Sequence, residues 1–168
     1  MPPSNSPKSR PSRPSRPPAP SMTLFDALDQ THRQVLSTLD QLAQLAEQLD
    51  ANRGGDDSAR GLAREICQFF DGTAREHHRA EEELVFPNLL DSGNAELVQH
   101  VQRLQQDHGW LEEDWLELSP QLQAISQGQH WVDPDMLRSG IAVFTALYRE
   151  HIALEETIVY PAGRSSQR

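Results

Sequence analysis

Cysteine is nearly missing from this sequence: Cys67 is the only one among 168 residues. A single thiol can form neither an internal disulfide nor a cysteine-based zinc cage, which fits a reducing compartment, and Cys67 reads as a small buried hydrophobe in a helix. There is also no uninterrupted apolar run near the roughly 18 to 20 residues that span a bilayer, and the N-terminus lacks the apolar segment of a secretory signal. A cytoplasmic protein without membrane contact is expected. Aromatic residues are few, with three Trp, two Tyr and five Phe. Set against many Gln, Glu, Leu and Ala, that balance indicates a helical protein rather than a sheet protein. Positive charge is scarce beyond the first 21 residues. The formal charge is −10, and because Lys8, Arg10, Arg13 and Arg16 lie in that first segment, which has no acid, the remainder stands at −14. This argues against a nucleic-acid-binding surface on the folded part.

What is present has a clear layout. Residues 1–21 are almost entirely Pro, Ser and basic residues, with too little apolar surface to offset the entropy of ordering, so a disordered tail is expected there. A polyproline-type ligand is the functional alternative, and Met22 could be the true start. The rest is the length of one domain. Four apolar stripes follow at alternating spacings of three and four. The first is Phe25, Leu28, His32, Val35, Leu39, Leu42, Ala46, Leu49 and the second Leu62, Ile66, Phe69, Thr73, His77, Ala80, Leu84 with Glu81 alongside. The third is Leu97, Val101, Leu104, His108, Leu111, Trp115, Leu118 and the fourth Leu137, Gly140, Phe144, Leu147, His151, Leu154, Ile158 with Glu155 alongside. One histidine interrupts each stripe.

Turn-like breaks separate the stripes at Gly54–Gly55, at Pro87 to Asn94, and between Ser119–Pro120 and Asp133–Pro134, although the third helix could resume beyond Pro120 towards Ile125. Asp133 and Pro134 make a good N-cap and first-turn pair. The expected fold is all-α, an up-down-up-down four-helix bundle over residues 22–162, with 163–168 as a short flexible C-terminus.

An internal repeat carries the chemistry. Residues 75–87, REHHRAEEELVFP, align without gaps on residues 149–161, REHIALEETIVYP. The shared skeleton is R-E-H-x-x-x-E-E-x-x-V-aromatic-P, and it pairs His77, not His78, with His151, and Glu81, not Glu82, with Glu155. A His and a Glu four residues apart lie one turn apart on the same face and can reach one point near the bundle axis. If the first and third helices start near Met22 and Asn94, and the second and fourth stop at Pro87 and Pro161, the four stripe histidines lie roughly 15 to 21 Å from one end of the bundle at 1.5 Å per residue. All then fall within about one turn of a common layer. Each histidine alone reads as a hydrogen-bonded core residue, but four of them with two glutamates would leave several polar groups buried and unpaired, at a cost of kcal/mol each. A metal resolves that conflict. Two carboxylates do not neutralise two divalent ions, so a bridging hydroxide or water is expected; mixed imidazole and carboxylate ligation suits iron, with zinc or manganese as substitutes, and the absence of thiolate argues against structural zinc.

With its doubled H-x-x-x-E, the aromatic-Pro downstream of each copy, and a lone His on the first and third helices, the chain resembles hemerythrin-like proteins of the HHE cation-binding type over residues 22–162. That resemblance implies a carboxylate-bridged centre of two irons, with His32, His77, His108 and His151 as terminal ligands and Glu81 and Glu155 as bridges. It also implies a small diatomic ligand such as oxygen or nitric oxide. Oxygen-carrying relatives have a fifth histidine one turn before the ligand on the third helix; here Leu104 stands there, which puts reversible oxygen carriage in doubt and leaves a coordination position open. The other histidines read differently: His78, which faces about 100° away from His77, as surface or outer support with ligation as the lesser alternative, and His100 and His130 as solvent-exposed. Glu82 and Glu83 read as a solvated face, and Trp110 and Trp115 as core or boundary aromatics. Phe69, Phe144 and Leu111 are candidates to line a cavity at the metal, and Tyr148 is the candidate acid. The functions in competition are a binder or sensor of a diatomic ligand, an enzyme consuming oxygen, peroxide or nitric oxide, and an iron donor or reservoir. A ferritin-type site is disfavoured because E-x-x-H occurs nowhere.

Overall fold

The structure, a computed structural model, describes residues 22–52 and 56–167; the tail at 1–21 and the Gly54–Gly55 break lie outside the described residues. Four helical rods follow one another. Rod α1 is Leu24–Asn52. Rod α2 covers 57–90, as the α-helical pieces Asp57–Gln68, Ala74–Ala80 and Phe86–Leu90 joined by the π-helical turns Phe69–Thr73 and Glu81–Val85. Rod α3 is Ala95–Ser126, and α4 covers 134–166 as Pro134–Leu154, the π-helical turn Glu155–Val159 and Tyr160–Ser166. Each rod packs on the next and α1 closes against α4, so the molecule is the expected all-α four-helix bundle. Among the described residues no helix is long and apolar enough to cross a membrane.

Local chemistry explains the starts and turns. Asp56, Asn94 and Asp133 each accept a backbone N–H of the first turn they open, from Ala59, Leu97 and Asp135, which satisfies donors that the helix leaves unpaired. Gly93 takes a φ of 75° in the turn between α2 and α3, a left-handed conformation that a side chain disfavours.

Several boundaries differ from the sequence expectation. Rod α3 runs through Pro120 without a break. Pro120 and Leu116, whose carbonyl loses its helical partner to the proline, are both exposed, so the missing bond falls on the solvent side of the rod rather than in the core. Nor do α2 and α4 stop at Pro87 and Pro161. A proline inside a helix has no N–H and crowds the carbonyl four residues back. Here the turn before it widens: Phe86 N–H bonds to Glu81 O and Tyr160 N–H to Glu155 O, five residues back, and the rods continue. The segment 163–166 is accordingly helical rather than loose. Its Gly163 is buried where a Cβ would stand 2.4 Å from Phe25 Cζ, and Arg164 pairs with Asp26 at 3.1 Å and Asp29 at 2.7 Å.

Each wide turn admits one residue more than an α-turn, and this shifts the inward face. Every member of the first and third stripes is buried. On α2 the buried line is instead Ala59, Ala63, Ile66, Phe70, Ala74, His77, Glu81, Val85, Leu89, so that Phe69 is half-buried while Thr73 and Leu84 face solvent. On α4, Val159 and Tyr160 replace the expected Ile158. Two apolar clusters result. The larger spans Val35, Leu42, Ile66, Phe70, Leu111 and Phe144 with their neighbours; the smaller holds Phe25, Leu28, Val85, Phe86, Leu104 and Tyr160 at the other end. A polar layer lies between them.

Candidate metal centre

That layer contains all six residues singled out by the repeat and its partners. His32 on α1, His77 and Glu81 on α2, His108 on α3, and His151 and Glu155 on α4 are buried, with both glutamates at 0% exposure. The rings of His32 and His77 are 4.8 Å apart and those of His108 and His151 4.9 Å apart. Glu81 Oε1 lies 3.0 Å from His77 Nε2 and 3.7 Å from His108 Nε2. Glu155 Oε1 lies 2.7 Å from His151 Nε2 and 3.5 Å from His32 Nε2. Each carboxylate therefore stands between a histidine of its own rod and one from a neighbouring rod.

Close approach is not matched by hydrogen bonding. Among the described residues, His77 Nδ1 and Nε2, Glu81 Oε1, His108 Nε2, His151 Nε2, and both Glu155 oxygens are buried with no hydrogen-bond partner. Leaving such atoms unpaired costs about 1–3 kcal/mol each. Lone pairs aimed at a common point rather than at a donor are what a cation requires, so these residues fit one.

Behind the imidazoles stand further carboxylates. His32 Nδ1 is 3.0 Å from Glu156 Oε1, His108 Nδ1 2.8 Å from Glu82 Oε1, and His151 Nδ1 3.4 Å from Asp107 Oδ2. A carboxylate only accepts, so each of these rings carries its proton on Nδ1 and turns the Nε2 lone pair inward. Gln105 steadies Glu82 at 3.2 Å and Arg103 steadies Asp107 at 3.1 Å. His77 has no such support. On α1 the residue directly before the layer histidine, where α3 has Asp107, is Thr31, whose hydroxyl donates to Ala27 O instead.

The charge balance follows from these contacts. Burial pushes the Glu81 carboxyl up, but the His77 imidazole, then His108 and His151, outweigh it and hold it below its ordinary value. Glu82 is lowered by His108 first. Burial also pushes Asp107 up, and His151 and Arg103 reverse the sign. Burial lowers His151, which Asp107 partly offsets. Burial thus disfavours the charged form of His151, while their neighbours favour the ionised forms of Glu81, Glu82 and Asp107, and a neutral imidazole beside ionised carboxylates is the state in which such groups bind or support a metal.

Three residues sharpen or depart from the sequence reading. Of the alternatives for His78, the surface is excluded and a place behind His108 remains: it is half-buried, stacked on His108 at 4.0 Å, and depressed well below the usual histidine range by burial and then by its histidine neighbours. Glu82 is no mere solvated side chain, since it orients His108. A third residue, Tyr160, was not anticipated. Its hydroxyl lies 3.1 Å from His32 Nε2 and donates to Glu81 Oε2 at 3.2 Å, while its ring stacks on His32 at 5.1 Å. Burial, then Glu81, pushes its phenol up. Tyr148, the acid expected from the sequence, is buried with its ring 6.5 Å from that of His151, and its phenol is likewise pushed up by burial and Glu81. Trp110 is exposed, Trp115 is buried, His130 is exposed and His100 is half-buried. A cavity of about 20 Å³, room for about one water, is lined by Phe70, Ala74, His78, Leu111, Phe144 and Tyr148, with Arg75 and Glu112 paired at 3.1 Å at its edge.

The family model of the hemerythrin HHE cation-binding domain matches residues 23–162. An uncharacterized protein of Haemophilus influenzae is 32% identical over 101 residues, which are 60% of this chain and 55% of that protein. The chain thus spans about half the length of that curated relative. No solved structure matches it.

Proposed function

This chain belongs to the hemerythrin HHE cation-binding domain family, and on that footing we propose that its buried layer holds two iron ions that bind a diatomic ligand, oxygen or nitric oxide. The observation that supports this reading is the set of orphaned ligand atoms in one layer. His32, His77, His108 and His151 would hold the ions terminally, and Glu81 and Glu155 would bridge them. Zinc or manganese could occupy the same donors. Two adjacent ferrous ions would supply reversible electron donation to a bound diatomic molecule. The chain's own contribution is to fix the imidazole tautomers through Glu156, Glu82 and Asp107, and to keep bulk water out with two apolar clusters. The cavity beside His78 gives a molecule of that size a place next to the layer.

Turnover of the ligand is a second reading, and Tyr160 favours it. Its hydroxyl proton sits within reach of two ligand atoms, where a reductive enzyme would need a proton source. The test is anaerobic iron loading, metal analysis, and optical spectra on adding oxygen, nitric oxide and peroxide. Near two irons per chain with reversible ligand spectra support binding or sensing. Consumption of the ligand supports an enzyme, and no iron retained after reconstitution rejects the whole reading.

A further inference from the structure

His78 lies outside the shared skeleton, because its mate in the second copy is Ile152. Its surroundings nonetheless belong to the metal layer. Among the described residues, two buried or nearly buried groups of potential ligand atoms lie in the layer, His32, His77 and Glu155 on one side and His78, Glu81, His108 and His151 on the other, with the atoms of each group within 4.8 Å of one another; a third, Asp29, His32 and Glu156, reaches an exposed carboxylate. Metal–imidazole bonds of about 2.1 Å place any two donors of one ion no more than about 4.2 Å apart. The second group is therefore short of closure only by small side-chain rotations. The His78 ring faces His108 at 4.0 Å with 20° between planes and lies 5.8 Å from the His151 ring.

We propose that His78 is a fifth histidine ligand, completing the ion held by His108, His151 and Glu81 from rod α2 in the place that Leu104 on α3 cannot fill. This rests on the two-ion reading above and deepens it. Leu104 is fully buried within the apolar cluster at the end of the bundle, as is its α1 counterpart Leu28, so neither offers a donor. The wide turn at Glu81 follows directly after His78 and Ala80, and the second copy, with the same wide turn at Glu155, presents the apolar and buried Ile152 instead. The centre is consequently unequal: three histidines serve one ion and two serve the other. The ion with fewer imidazoles would have His32, His77 and Glu155 as its donors, while the small cavity lies on the His78 side of the layer.

Cobalt(II) provides the test, because each histidine on the ion shows one exchangeable, hyperfine-shifted ring N–H in the proton NMR spectrum. The full chain loaded anaerobically with cobalt should bind two ions and show five such signals. His78→Phe, which keeps a ring against His108, and His78→Gln, which keeps polarity, should each lose one signal and bind one of the two ions at least about tenfold more weakly by equilibrium dialysis. Two ions bound, with four signals in the parent chain and no change in either variant, overturns the fifth ligand and leaves the two-ion reading intact. One ion or none in the parent chain overturns both.

Discussion

At the scale of the residue, the doubled motif made the inner layer readable, and the supports behind it were harder to see. Periodicity located His32, His77, His108 and His151, because a polar residue on an apolar stripe stands out. Glu82 and Glu156 were visible in the repeat as the second glutamate of each copy, yet an adjacent acid on a helix points about 100° away and reads as solvated. Its partner comes from another rod, α3 for Glu82 and α1 for Glu156, and that pairing depends on packing. Asp107 and Tyr160 were hidden for the same reason. Asp107→Asn should weaken metal binding by about 10–100-fold in a competitive chelator titration, because Asn no longer fixes the His151 tautomer. Glu83→Gln, on the exposed side of the wide turn Glu81–Val85, should bind as the parent does. Equal affinities in all three would show that Asp107 is not holding His151. Tyr160→Phe keeps the ring on His32 and removes the hydroxyl. The expected result is unchanged metal content with altered decay of the nitric oxide or oxygen form and an altered pH profile; an unchanged profile would mean that the hydroxyl only satisfies Glu81.

The elements show where periodicity fails and why. Stripes read at strict helical spacing were right along α1 and α3, which have no wide turn, and went out of step along α2 and α4, which do; on α4 the buried line already runs through Ile141 and Tyr148 rather than Gly140 and Leu147 before the wide turn is reached. The proline of each copy looked like a stop signal; the rod instead passes through it by a π-helical turn on its N-terminal side, a turn that also forms without a proline at Phe69–Thr73. Pro161→Ala restores an N–H and relieves the crowding of the carbonyl four residues back, and is expected to let the turn at Glu155 relax to α-helical spacing, rotating the ligand side by about 100° over the residue lost. Metal occupancy should fall while far-UV circular dichroism keeps its helical signature. If occupancy is retained, packing alone holds the wide turn. Cys67, near the first wide turn, is buried and its thiol is pushed up to about 11 by burial and then Asp71. Ellman's reagent should find no fast-reacting thiol in the native chain and one in denaturant; a fast native reaction would mean that this part of α2 opens readily.

For the whole molecule, length and composition sufficed to place one helical domain, because four amphipathic stripes of this size have few other ways to bury themselves. The polar layer between two apolar clusters costs stability until something binds it. The metal-free protein should therefore melt lower than the loaded one. Free metal at about 100 times its dissociation constant contributes about 2.7 kcal/mol, which for a domain of this size is a shift of about 5–10 °C. Identical melting curves with and without metal would mean that the layer is already satisfied. A chain starting at Met22 should melt within a few degrees of the full chain, since residues 1–21 offer almost nothing apolar to bury; a large drop would show that they dock on the bundle.

The three tryptophans are distributed in a way that turns the protein into its own optical gauge. Trp110 and Trp131 are 50% and 62% exposed, whereas Trp115 is buried, donates its indole N–H to Asp71 Oδ1 at 2.8 Å and packs on Phe70 at 4.9 Å. Two indoles emit from water and are within reach of iodide; the third emits further to the blue from a shielded pocket that iodide does not enter. Trp115 also borders the small cavity that His78 and Tyr148 line. Its blue-shifted fluorescence, isolated by quenching the other two, should therefore dim by energy transfer as a near-ultraviolet-absorbing centre forms and respond again when a molecule enters the cavity, so that filling of the layer and filling of the pocket can be followed in one cuvette without any label.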